Sequence, residues 1–184
     1  MTDKTTQKMT GASGADQVAE RLGTPTDLSS NATKGIAAVL NGLLADSFAL
    51  YLKTKNFHWH MSGPHFRDYH LMLDKQSTQI FEMTDPMAER VRKIGHLTMH
   101  SISEIGRTQQ VVDNNDAYVT PGAMLAELRD DNHKLAMRMR EAHETCDDGK
   151  DVASASLLEV WIDETERRTW FLFEATRAAS ADGH

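Results

Sequence analysis

Residues 55–90 read KNFHWHMSGPHFRDYHLMLDKQSTQIFEMTDPMAER, and the fold turns on how the metal-ligand side chains in this stretch are spaced. Ser62-Gly63-Pro64 divides it, stopping one helix and starting the next, with Pro in a first turn where its missing N–H costs nothing. If residues 64–95 form one helix at 100° per residue, His70, Asp74, Asp85 and Glu89 fall at about 0°, 40°, 60° and 100°, one continuous face. Asp74 and Asp85 are nonetheless about 16 Å apart along the axis. No single metal centre spans that gap. A second, antiparallel copy of the helix would set His70 and Asp74 of one chain against Asp85 and Glu89 of the other. The spacing therefore argues for metal chemistry at a two-fold interface.

Two readings of Asp85 stand side by side. It directly precedes Pro86, as helix N-caps often do; the helix then breaks near Thr84 and Glu89 becomes a first-turn acid. Alternatively the helix continues through a kink, because Pro86 has no donor for the Glu82 carbonyl.

Outward from this stretch, every element reads as helix. Residues 31–60 carry Ile36, Leu40, Leu43, Leu44 and Tyr51 on one apolar stripe, which extends to His58 and turns its imidazole inward. About 25 residues then separate Gly95 from Thr120, enough to traverse a bundle. Residues 96–107 read as a short helix and 113–116 as a loop. Thr120-Pro121 has the form of an N-cap followed by Pro, opening a third long helix with Leu125, Leu128, Leu135, Met139 and Ala142 on its apolar face. Asp147-Asp148-Gly149 ends it, and Asp151 caps a fourth with Leu158, Trp161, Ile162, Thr165, Thr169 and Leu172 on one side. Two short connections and one long one give an all-α four-helix bundle with a single crossover containing a short helix, the ferritin-like arrangement. Residues 1–30, rich in Thr, Ser, Gly, Asp and Gln, read as a mobile polar tail before a bundle spanning 31–184.

Composition narrows the partners. The 184 residues suffice for one domain with a real core, and the net charge of −7 repels phosphate surfaces and attracts metal cations. No membrane association is expected, since no apolar run is read as long enough to span a bilayer and the polar N-terminus lacks a signal-like apolar region. The lone Cys146 has no internal disulfide partner and fits a reducing cytoplasm.

His58 and His70 supply imidazole; Asp74, Asp85 and Glu89 supply carboxylate. That donor mixture suits Fe(II), Mn(II) or Zn(II). A bundle-core di-iron protein would carry Glu-x-x-His on two helices, and this chain has none, which again directs attention to an interface. Singly, each feature has a plain alternative: His58 as a core residue, and His70–Asp74 as a surface i,i+4 pair. The joint pattern carries the weight. His60 and His65 are either ligands at the mouth of the site or exposed loop residues. His96, His100 and Glu104, at i, i+4 and i+8, are either an auxiliary metal site or a solvated helix face. The acids Glu127, Asp130, Asp131, Glu141, Glu144, Asp147, Asp148 and Asp151 read mostly as solvated helix face, with a few left to line openings that admit cations. The methionines read as flexible core filler.

KNFHWHMSGPHFRDYHLMLDKQ followed by DPMAER resembles the signature of Dps proteins, the mini-ferritins that protect DNA during starvation. The likeness is close over the first two helices and extends loosely to WFLFE near Phe173. The resemblance implies ferroxidase ligands at His58, His70 and Asp74 from one subunit and Asp85 and Glu89 from its two-fold mate, with two irons per interfacial site. Glu89 would bridge, sharing the first iron with Asp85 and His58, while His70 and Asp74 hold the second. It further implies a hollow homododecamer storing ferric mineral, and oxidation of paired Fe(II) by hydrogen peroxide in preference to oxygen. Trp59, beside His58, is either an electron donor or an interface anchor. DNA binding by a basic tail is expected to be weak or absent, because residues 1–30 carry three cations against four acids. A nucleoid-compacting protein with an incidental metal site, and a zinc or manganese buffer, are the competing functions. A cytoplasmic place, nucleoid-associated if DNA is bound, goes with these readings.

Overall fold

Thr120 and Asp151 behave as their sequence context predicts. In the computed structural model, which describes residues 14–177, the Thr120 side chain accepts from the Ala123 N–H and Asp151 accepts from the Ser154 N–H. The helices are α1 (Gly14–Leu22), α2 (Ser30–His60), α3 (Phe66–Glu82), α4 (Thr84–Lys93), α5 (Ile102–Thr108), α6 (Pro121–Asp148) and α7 (Val152–Thr176). The described residues contain no strand. The four-helix bundle is α2, the α3–α4 pair, α6 and α7, with α5 on the long crossover.

Both apolar stripes of the later helices are buried as expected: Leu125, Leu128, Leu135 and Met139 from α6, Leu158, Trp161 and Leu172 from α7. They meet Leu40, Leu44, Leu50 and Phe57 of α2 in one core, each fully buried Leu contributing about 1.5–3 kcal/mol. Met83, Met87, Met124 and Met139 fill gaps in it. By length and composition α2 is in fact apolar enough to cross a bilayer, which corrects the expectation that no segment is. Here it packs against α3, α4, α5 and α6 and buries Asp46, Lys53 and Thr54 among them.

Residues 64–95 are not one helix. α3 ends at Glu82 and α4 starts at Thr84, joined at Met83, whose φ of −75° and ψ of −21° stay helical. The Thr84 hydroxyl bonds back to the Phe81 carbonyl, and Pro86 offers no N–H to the Glu82 carbonyl. The break therefore lies where one reading puts it, but the cap position is Met83. Asp85 is the second residue of α4 and makes no capping bond.

Residues 96–101, expected to be helical, are instead irregular. Gly95 reverses the chain at φ +87°, and an added Cβ there would press within 3.3 Å of the Thr24 carbonyl. That close approach also bears on the N-terminal segment read as a tail. Its later part holds α1, and Arg92 donates to the Leu22 carbonyl while the Thr24 hydroxyl donates to the Arg92 carbonyl. Residues 1–13, with Lys4 and Lys8, and the last seven residues lie outside the described residues. The crossover is anchored from within: Asp46 of α2 accepts from the Gln110 and Val111 N–H groups and pairs with Arg138 of α6 at 2.9 Å.

Candidate metal centre

α2 ends near His58 and α3 returns beside it, so residues twelve apart meet across a tight connection. Gly63 makes that turn at φ +95°, and the Phe66 N–H donates to its carbonyl. The His58 and His70 rings stack with centroids 3.7 Å apart and planes at 23°. Nδ1 of His58 is 2.8 Å from the His70 carbonyl, and Nδ1 of His70 is 3.0 Å from the His58 carbonyl. A carbonyl only accepts, so each ring carries a proton on Nδ1, which leaves Nε2 as the nitrogen that a neutral imidazole would offer to a cation. This is the orientation that metal-binding imidazoles require.

Asp74 completes this half. Its Oδ1 lies 4.0 Å from Nε2 of the buried His58, while the carboxylate itself is half exposed. Lys55, one turn before His58, places its ammonium 2.6 Å from the same oxygen. The hydrogen bond and charge of Lys55 hold the Asp74 carboxyl below its ordinary range, with smaller help from the two imidazoles. Asp74 thus already binds a cation, an amine of its own chain. Lys55 sits three residues before His58 on the same side of α2, a signal the sequence carries but which the ligand pattern overshadowed.

Asp85 and Glu89 are exposed one turn apart on α4, beyond the Met83 joint. Glu89 pairs loosely with Lys93 at 3.0 Å on the surface, and Asp85 has no side-chain partner among the described residues. Within one chain, no three described His, Cys, Asp or Glu side chains are grouped to hold a metal ion. His58, His70 and Asp74 come together; Asp85 and Glu89 form a separate pair of carboxylates.

The other candidates have different surroundings. Trp59 is 60% exposed and lines an apolar groove with Leu52, Phe81 and Ile102, and His60 lies beside it with Nδ1 on the Asn56 carbonyl. His65 is the exposed cap residue of α3, tilted against Tyr69. The His96–His100–Glu104 site does not form, because the helix its spacing presumes starts only at Ile102. His96 Nε2 meets the Thr33 hydroxyl instead, and His100 approaches Glu104 alone. Five of the acids expected at pores or in solvent also serve other groups, Asp130 meeting Arg129 and Asp147 meeting His143 at the surface. Glu127 and Asp131 pair with the buried Lys53, and the buried Asp151 pairs with Arg90. Between α6, α7 and the Met83 joint the interior holds a cation, the buried Arg168, bonded to Asn132 and Thr165. Its charge opposes an intrachain metal centre there, in keeping with the missing Glu-x-x-His motifs.

A family model described as a ferritin-like domain matches residues 37–178. The chain is 30% identical over 150 residues to the DNA protection during starvation protein of Agrobacterium fabrum, covering 81% of this chain and 92% of that one. It is 27% identical over 169 residues to DNA protection during starvation protein 1 of Deinococcus radiodurans, covering 88% and 82%. Among solved structures, Dps from Mycobacterium smegmatis superposes with a TM-score of 0.79 at 27% identity, covering 88% of this chain and 96% of that chain. An archaeal Dps homologue from Halobacterium salinarum gives 0.80 at 23% identity, covering 97% of each.

Proposed function

The chain belongs to the Dps family of ferritin-like proteins, and from that premise we propose that it is a ferroxidase and iron-storage protein, oxidising Fe(II) at sites shared across two-fold subunit interfaces. One observation carries this reading. The His58–His70 pair is tautomerically set to bind a cation beside Asp74, while Asp85 and Glu89 present exposed carboxylates from a separate part of the same helical arm, Glu89 with only a surface pair to Lys93. Each set is too small to hold two metal ions, and together they make a mixed imidazole–carboxylate shell of five ligands.

Fe(II) is the substrate. His58, Asp85 and the bridging Glu89 would hold one ion, His70 and Asp74 the other, after Lys55 gives up Asp74. Anionic oxygens favour the harder ferric ion, which is the direction of the reaction. Two Fe(II) each lose one electron; hydrogen peroxide accepts both, its O–O bond breaks, and two protons complete two waters. Taking both electrons at once avoids hydroxyl radical. Trp59 is assigned the anchor role at the subunit interface, since its exposed ring lies in an apolar groove, and it stays within reach of donating an electron when only one iron is present. Storage follows from assembly into a hollow dodecamer, and a cytoplasmic location is part of the proposal. The acidic balance of the chain leaves DNA binding weak or absent at physiological salt.

The test is anaerobic loading of the size-selected assembly with Fe(II), followed by peroxide. The proposal expects a rapid ferric absorbance rise with two Fe(II) consumed per peroxide, and loss of that phase in Asp85→Ala and Glu89→Ala with assembly intact. Oxidation no faster than that of free Fe(II), or wild-type rates in both variants, would overturn it. A mobility shift showing tight DNA binding at about 150 mM salt would overturn the DNA statement.

A further inference from the structure

On the side of α3 opposite His70 and Asp74, about 150° round the helix, α3 and α7 enclose a pocket of ≈ 300 Å³. Its walls are apolar, formed by Leu71, Met72 and Phe171. Its charged lining is Lys75, Arg167 and Arg168, with no carboxylate. In a chain of net charge −7 this is a local reversal of sign.

None of the three cations is ion-paired with a described acid, although the charge of Glu164 acts on Arg168. Among the described residues Lys75 and Arg167 make no ion pair, and the Arg167 guanidinium lies 5.5 Å from the Phe171 ring centre instead. Arg168 is 2% exposed. Its Nε donates to Asn132 at 2.9 Å and its Nη2 to Thr165 at 2.6 Å, but Nη1 has no partner. A buried guanidinium with an unpartnered donor and no ion-paired carboxylate is costly, and Arg168 is one of the residues lining the pocket. Burial pushes Arg168 down to about 10, so it stays charged at neutral pH.

The lining discriminates between ligand classes. A cation would meet three positive charges. A neutral apolar molecule would leave Nη1 unpaired, and an inorganic oxyanion would leave the Leu71, Met72 and Phe171 walls wet. We propose that the α3–α7 pocket binds a small organic anion, a carboxylate or sulfonate on an apolar body, with its charged end on Arg168 and Lys75 and its body against Leu71, Met72 and Phe171. The volume is at the lower end for ligand pockets and suits a single ring or a short chain. This site is independent of the iron chemistry.

Calorimetric titration of the iron-free, size-selected assembly at low ionic strength tests it, with benzoate, benzyl alcohol and inorganic phosphate as probes. Benzoate is expected to saturate one site per chain, at least about tenfold tighter than either other probe, a ratio that one charge-assisted contact supplies. The double variant Lys75→Met/Arg167→Met should weaken benzoate about tenfold or more and leave benzyl alcohol unchanged. Arg168→Met should abolish the preference for benzoate, but Arg168 also bonds within the core, so the exposed pair decides the matter. The proposal is overturned if benzoate shows no saturable binding, if benzyl alcohol or phosphate equals it, or if the double variant keeps wild-type affinity.

Discussion

His58 and His70 each donate from Nδ1 to the other's backbone carbonyl, at 2.8 and 3.0 Å, across a stacking distance of 3.7 Å. Neither ring can turn without breaking a bond made by the α2–α3 connection itself. The hairpin that Gly63 closes is thus also the device that sets both imidazole tautomers, joining local backbone structure to ligand chemistry.

Lys55 competes with any metal for Asp74, and its effect is readable without iron. Because Asp74 titrates below its ordinary value of 3.8, the linked stability is present above that value and is lost as pH falls through the lower, folded one. In Lys55→Met the Asp74 carboxyl should titrate higher, back towards 3.8. Carbon-detected NMR titration of the aspartate carboxyls checks this. An unchanged Asp74 titration would remove Lys55 as the cause.

Asp151 caps α7 and neutralises Arg90, and it is 2% exposed. Asp151→Ala leaves Arg90 with an unpaired charge and the helix without its cap, so a loss of about 3–5 kcal/mol is expected in urea unfolding. A loss below about 1 kcal/mol would mean that solvent takes over both roles.

Cys146 is buried, and burial, reinforced by the negative charge of Asp151, pushes its thiol up to about 12. The folded protein should resist a disulfide reagent at about pH 8 and react promptly once unfolded. Prompt reaction in the folded state would show that α6 opens locally at Cys146.

Short-range chemistry made much of this fold legible. Thr120-Pro121 and Asp151 are local signals, and the helices they open start where those signals stand. The same stripes that assign the apolar faces of α6 and α7 supply their buried side chains. Failures came where distant segments decide. His96 leaves helical geometry because Gly95 turns the chain against Thr24, a contact between residues 71 apart in sequence. The α3–α4 joint shifts the cap to Met83 because Pro86 removes one donor while the other residues stay helical. Nothing local in the sequence marks Lys53, Arg138 and Arg168, and only tertiary packing makes them partners of Asp131, Asp46 and Asn132. Of the candidate site, ligand types and spacing were legible, whereas the imidazole lock and Lys55 needed the hairpin. Under the proposed function, the two ligand sets meet only through a second chain.

Sharing of ligands between subunits is the central claim, and co-assembly of two inactive variants tests it most directly. One carries His58→Ala and His70→Ala, the other Asp85→Ala and Glu89→Ala, mixed at equal amounts before refolding into the cage. In a two-fold pair each heterodimer regains one complete site, so peroxide-driven Fe(II) oxidation should return to about a quarter of the wild-type rate while each parent stays inactive. A mixed assembly as inactive as its parents, with mass spectrometry confirming that both chains are present, would contradict the account.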